Sequence, residues 1–390
     1  MGGGPAAAPT VPTPGNPDAP DVGITAKSIK VGHVGIYSGP VGEFGQDLSE
    51  GGLAALQYWN DNGGVNGRKL NIIIEDDSWE SAKGMAKVRK LVEQDQVFAL
   101  VATQSVPTTN AAAPYLDEKK VPHVGTDGWG EPQYNAAYTF PTGVATVTEA
   151  RIMAQYDAKM GVKRVGILYL NNADGQQYAD TYAAEIAKHG GEVIARQAAN
   201  FDDAGTTSFL LKCRSNDCDK INIWSDPGVY VRMVREASQQ RYKPQHGFGG
   251  ANGIYFAATP EMAGSWSDGT VATTYYWPND TAQPGLKRYM DIVGHYYKDV
   301  QHTGWTKAGF VGANLFVDAL KRLGRGQETR ENLKNQLNGL RGWNTGLGLS
   351  LNFTPTNHRA NTQVWVVKLE AGQWKTVEGP LKDGVVGAGG

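Results

Sequence analysis

The 390-residue chain lacks the residue patterns that mark most catalytic and membrane classes. Its 2 cysteines are too few for a disulfide scaffold or a cysteine-rich zinc site. Its 7 histidines fall in no H-E-x-x-H or H-x-E setting, so a zinc hydrolase or deaminase would lack its ligands. No G-x-G-x-x-G follows a strand pattern and no G-x-x-x-x-G-K-[ST] occurs, which removes the phosphate-binding turns of nicotinamide, flavin and nucleotide enzymes. Ser265-Trp266-Ser267-Asp268-Gly269 approaches a nucleophile elbow, but serine stands where the first glycine belongs and no strand-to-helix pattern surrounds it. No apolar run nears the roughly 18 residues that suggest a membrane helix. Neither sign of charge dominates, with 37 Lys and Arg against 39 Asp and Glu, so no broad field favours nucleic acid or an anionic bilayer. Neither catalysis nor a metal, cofactor or nucleic-acid partner is expected.

What is present is an ordered α/β pattern. The near-continuous apolar run Val31–Tyr37 reads as a strand covered on both faces. Ser38-Gly39-Pro40 breaks it, and Phe44, Leu48, Gly52, Ala55 and Trp59 then recur at helical spacing. Asn62-Gly63-Gly64 ends that helix, and Asn66-Gly67-Arg68-Lys69 turns the chain into Leu70–Glu75, apolar enough for an inner strand. Together these make a βαβ unit. Its layout returns 134 residues later: Val165–Tyr178 repeats Val31–Phe44, with Asn172 at the place of Ser38 and Tyr178 at that of Phe44. The length also fits two domains. Asp76-Asp77, at a strand end, are expected to cap the helix from Ser81 onward rather than to form an acid pair.

The segment from Ile29 to Asp77 resembles the extracytoplasmic solute-binding proteins of the leucine/isoleucine/valine-binding type, which feed ABC importers. Its markers are SGP, then FG, then a helix closing on NGGVNGRKL, then an apolar strand ending in DD. The likeness continues through Ala99–Gly128, Val165–Tyr182 and Ile221–Ala237, and covers roughly residues 29–375. It implies two Rossmann-like α/β lobes with parallel sheets, joined by a three-segment hinge. The crossings are expected near Pro141–Val144, Thr273–Pro278 and Gly346–Phe353. Residues 29–142 and 275–345 would form lobe one, and 143–274 and 346–380 lobe two. Residues 1–28, rich in Gly, Ala and Pro, read as a disordered tether and 381–390 as a flexible tail. The resemblance further implies a monomer that captures a small solute, an amino acid or an aromatic or aliphatic carboxylate, and presents it to a membrane permease. The place implied is outside the cytoplasm, with a lipid anchor in some members and Met1-Gly2 standing where a leader was removed. A ligand-sensing domain of a receptor or regulator is the alternative on the same fold.

Open parallel sheets bind ligands beyond the carboxyl ends of their strands. In lobe one, Gln104, Ser105 and Val106 with Thr126, Asp127 and Gly128 match the loops that seat the ligand carboxylate and part of its amine. In lobe two, Asn172, Asp174, Tyr178, Trp224, Ser225 and Asp226 are expected to close over it. The amino-acid binders of this type carry an acid in the loop that matches Gly249–Gly253, where this chain has none and Asn252 stands instead. Asp127 or Asp226 would then substitute if the ligand carries an ammonium, since a buried unpaired charge is costly; if neither does, the ligand is not an α-amino acid. Trp79, Trp129, Tyr178, Trp224, Tyr255 and Trp277 fall near loop starts on the crevice side and suit a bulky apolar ligand, with Phe44 beside them. Cys213 and Cys218 are spaced to close a small disulfide loop, although two reduced thiols satisfy the sequence as well.

Overall fold

The computed structural model of the chain describes residues 15–39, 41–201, 205–256 and 258–384. The first sheet is wholly parallel and holds β1 (Ser28–Gly35), β2 (Lys69–Asp76), β3 (Ala99–Val101), β4 (His123–Thr126) and β5 (Thr139–Pro141), in the order β2-β1-β3-β4-β5. Between them run α1 (Gly42–Asp61), α2 (Ser81–Arg89), α3 (Val106–Glu118) and α4 (Glu131–Asn135). The chain then crosses into α5 (Thr146–Lys159), β6 (Arg164–Leu170), α6 (Ala173–Lys188), β7 (Glu192–Ala199), α7 (Thr207–Ser215), β8 (Lys220–Trp224), α8 (Pro227–Gln239), β9 (Phe248–Gly250), α9 (Thr259–Ala263) and β10 (Val271–Thr274). It returns for α10 (Pro284–Tyr296), α11 (Gly304–Leu323), α12 (Arg330–Asn338) and the small pair β11 (Trp343–Asn344) and β12 (Ser350–Leu351). It ends in the hairpin β13 (Gln363–Glu370) and β14 (Gln373–Lys382). The second sheet runs β14-β13-β10-β9-β8-β6-β7, with β13 alone reversed, so that it pairs antiparallel with β10 and β14.

These elements follow from the sequence. In β1, residues Val31 to Gly35 are all buried, as both-face coverage requires. α1 stops where Asn62 donates its backbone N–H to the Tyr58 carbonyl and Gly63 and Gly64 take positive φ. Leu70–Glu75 lies at the sheet edge rather than inside it: β2 is only half covered, and Ile74 is 47% exposed. The Asp76 and Asp77 side chains do not cap α2; they accept the backbone N–H groups of Ser78 and Trp79.

α11 lies against α1 and the first sheet at backbone contact. A Cβ at Gly51 would stand 1.9 Å from the Thr306 carbonyl oxygen, and one at Gly312 would stand 2.2 Å from the Gly125 Cα. Because the obstacle is main chain, Gly51→Ala is expected to lower unfolding free energy by about 1–3 kcal/mol in urea titration. An unchanged midpoint would mean that the helices are free to part.

Four further expectations are corrected. Within the expected tether, residues 1–14 lie outside the described residues, whereas 15–28 are built onto lobe one. Ile24 is fully buried, Arg68 donates to the carbonyls of Pro17 and Thr25, and Arg330 N–H binds Asp21 at 2.6 Å. The low hydrophobicity averaged over the segment hid these individual anchors. Residues 381–384 are not a loose tail either, because Leu381 pairs with Val364 and Asp383 meets Arg151; residues 385–390 lie outside the described set. The disulfide is absent: Cys213 and Cys218 are buried free thiols. Their hydrogen-bond contact, and then burial, push the Cys213 thiol far up. The third crossing also comes later than expected, between β12 and β13, since Phe353 N–H still binds the Leu340 carbonyl at 3.2 Å while β13 begins only at Gln363.

Candidate functional site

The loops at the carboxyl ends of both parallel sheets meet across one crevice. Trp79, in the turn after β2, faces Phe201, just past β7, edge to face at 6.0 Å. Phe44 in the first turn of α1 meets Phe256 at 5.9 Å in the same manner. Trp129, in the loop after β4, lies 4.4 Å from Trp224 at the end of β8 and 4.7 Å from Trp305 at the start of α11. Asn110 on α3 reaches over to donate to Asp174 on α6 at 3.0 Å. The two lobes therefore touch across the crevice.

Between them lies a small cavity of about 40 Å³, partly open to solvent. Its walls are apolar nearly throughout, built from Val41, Phe44, Leu48, Trp79, Trp129, Leu170, Phe201, Phe256 and Trp305. Ser225 and Asp226 supply the polar side chains among the described lining residues. The Trp79 turn is strained, because Ser78 and Trp79 both take left-handed backbone with φ of 54° and 64°. Asp76 accepts the Tyr37 and Ser78 N–H groups at 2.9 and 3.0 Å, and Asp77 accepts the Trp79 N–H at 2.9 Å, so the acids hold the turn. Burial works against ionisation of Asp76, but Lys83, the Ser38 hydroxyl and the two backbone donors hold it well below the usual carboxylate range. Strain kept in place this way is a recurrent feature of ligand clamps.

Of the residues singled out from sequence as ligand-binding, Phe44, Trp79, Trp129, Ser225 and Asp226 line the cavity. The expected carboxylate seat does not. Gln104 donates to the Gly125 carbonyl at 2.7 Å, the Thr126 hydroxyl to Gln133 at 2.6 Å, and Ser105 and Val106 are buried at the start of α3. Asp127 is fully engaged, accepting from the Thr109 hydroxyl at 2.6 Å, from Gln133 at 2.9 Å and from the Trp129 N–H at 2.9 Å. It therefore fixes the Trp129 loop and does not itself line the cavity. Asn172 caps α6 by accepting the Gly175 N–H at 2.8 Å. Tyr178 is packed in lobe two with its hydroxyl on Asn222 at 3.0 Å, Trp224 lies behind Trp129, and Asn252 is buried against Gly304. Sequence reading missed Leu170, Phe201, Phe256 and Trp305. The first three each follow or end a strand of lobe two, a positional signal available in principle; Trp305 enters from a helix start that gave none.

A second omission is Glu149, fully buried in the first turn of α5 just after the first crossing. One of its oxygens accepts the Asn252 N–H at 2.8 Å and the Thr273 hydroxyl. The acid missing from the loop at Gly249–Gly253 is thus replaced in space by one that binds that loop's backbone. Burial pushes Glu149 up to about 7, against the Thr273, Asn252 and Tyr275 hydrogen bonds. Folding therefore favours its protonated form, and its contribution to stability falls as pH rises from the ordinary carboxylate range to about 7. Buried His33 and His123, lowered to about 4 and about 3 by desolvation, act in the opposite sense, as each is neutral when folded and charged when unfolded. The Glu149 effect is accordingly a difference between two proteins: Glu149→Gln is expected to gain stability relative to wild type between pH 5 and pH 7.5. Parallel stability curves would remove the assignment.

The molecule is thus two α/β lobes whose strand ends face one apolar crevice. The chain matches the periplasmic binding protein family model over residues 28–373 and belongs to that family, whose members bind solutes and are not enzymes. Among relatives, it is 20% identical over 365 residues to a Leu/Ile/Val-binding protein homolog of Brucella abortus, covering 90% of this chain and 91% of that one. Among solved structures, a branched-chain amino acid ABC transporter protein of Thermus thermophilus with bound valine superposes with a TM-score of 0.83 at 15% identity, over 92% of this chain and 98% of that one. A fatty acid ABC transporter substrate-binding protein of Thermomonospora curvata gives 0.82 at 19% identity, over 93% and 95%.

Proposed function

We propose that the chain is the extracytoplasmic substrate-binding component of an ABC importer and captures a small solute with an apolar body between its lobes. The observation that carries this reading is the inter-lobe cavity walled by aromatic rings from both lobes. Rings contributed from two sides can wrap a ligand only when the lobes meet, so the ligand binds the closed form preferentially and draws the population toward it. The closed form is then the shape a permease partner would recognise. The solutes named for the similar proteins, valine and fatty acids, share an apolar body and fit this wall chemistry. A monomer suffices, since each chain holds both halves of the crevice.

A thermal-shift panel of amino acids, aromatic and aliphatic carboxylates, alkylammonium ions and small sugars tests the reading. A ligand at 100 times its dissociation constant stabilises the folded form by about 2.7 kcal/mol. A rise in melting temperature with at least one apolar-bodied class is expected. Silence across the panel, for protein refolded from denaturant to strip any bound solute, would overturn the assignment.

A further inference from the structure

We propose that the solute is a small alkylated ammonium cation rather than a carboxylate, held over the ring faces of the cavity with Asp226 as its counter-ion. The inference rests on the reading of the inter-lobe cavity as the ligand site and gives that ligand its charge. Asp226 is the single charged side chain among the described residues of the lining. Its Oδ1 accepts the Gly228 and Val229 N–H groups at 2.7 and 3.2 Å, which fixes the carboxylate at the start of α8. Oδ2 has only the Ser225 hydroxyl at 3.2 Å. Burial pushes the Asp226 carboxyl above its ordinary range, against the Val229 and Gly228 N–H groups and the charge of Arg232, whose guanidinium donates to the Phe201 carbonyl at 2.6 Å and is not part of the lining; a bound cation would offset that burial.

An anionic ligand would meet a carboxylate in an apolar enclosure, with no cation in the described lining to offset it. The groups that would seat a ligand carboxylate, at Gln104 to Val106 and at Thr126 to Gly128, are not in the lining, and Gln104, Thr126 and Asp127 are hydrogen-bonded within lobe one. A hydrocarbon-skinned cation suits the same walls. Its alkyl groups contact apolar surface, its charge is attracted to the ring faces of Trp79, Trp129 and Trp305, and one carboxylate balances it. Trp79 and Trp129 come from lobe one and Phe201 and Phe256 from lobe two, so the enclosure is complete only when the lobes meet.

The test is calorimetric titration with three compounds that share one branched apolar group: choline, its uncharged carbon isostere neohexanol, and the anion tert-butylacetate. Choline is expected to bind about tenfold or more tighter than neohexanol, with no measurable binding of the anion. Asp226→Asn keeps the helix cap, since asparagine caps as well as aspartate. It should bring choline and neohexanol to within about twofold while the melting curve stays cooperative. Equal or tighter binding of neohexanol by the wild type, preference for the anion, or an unaltered preference in Asp226→Asn would each overturn the inference. If none of the three binds but the thermal-shift panel finds another class, the cation assignment fails and the cavity assignment stands. If the panel is silent too, both fail.

Discussion

Replacing Trp129 with alanine is expected to cost about 3–5 kcal/mol of stability and to abolish ligand-induced thermal shifts together. The ring is 2% exposed, lies tilted against Trp224 and Trp305 with centroids 4.4 and 4.7 Å away, and donates its indole N–H to the Tyr275 hydroxyl at 2.5 Å. Truncation therefore opens a void at the point where the lobes meet and leaves the Tyr275 hydroxyl without that donor. Trp129→Phe should restore part of the stability, because most of the packing area returns, but not the hydrogen bond. Denaturant titration gives the first quantity and melting with a panel compound the second. A variant with normal ligand response would place Trp129 outside the binding machinery, whatever its stability.

The second large effect lies far from the crevice. Arg68 and Glu328 form an ion pair at 2.8 Å with both side chains at 0% exposure. Glu328 also accepts from Asn66 at 3.0 Å, and Arg68 holds the chain at Pro17 and Thr25, so the pair ties the first residues of lobe one to the segment before α12. Glu328→Ala leaves a guanidinium buried without its carboxylate and should cost about 3–5 kcal/mol. The double change Arg68→Met with Glu328→Leu removes both charges and should recover much of that loss, since a buried pair gains little over well-packed apolar residues. Additive losses in the double variant would show that the two side chains act independently.

Much of the architecture was legible in the chain itself. The run Val31–Tyr37 and the spacing of Phe44, Leu48, Ala55 and Trp59 specify β1 and α1, because both-face burial and one-sided burial leave different patterns. The repeat at Val165–Tyr178 exposed the second lobe for the same reason. The site was legible only in part. Phe44 and Trp129 were visible as aromatics at strand-end loops, but Tyr178, identical by that criterion, is swallowed by the core of lobe two beside Trp224. Asp127 looked available because its partners Thr109 and Gln133 reveal themselves only after folding brings them together. Glu149 was invisible for the opposite reason: its partners Asn252 and Thr273 stand more than a hundred residues away in sequence. Periodicity reports burial of a single element; it does not report which polar groups find one another across elements.

Small-angle X-ray scattering of the refolded protein, with and without a saturating concentration of the compound that most raises its melting temperature, tests lobe closure most directly. Closure around the solute predicts that the radius of gyration falls on ligand addition and that Trp129→Ala shows no such change. A radius that stays constant at saturation in the wild type would contradict capture by closure.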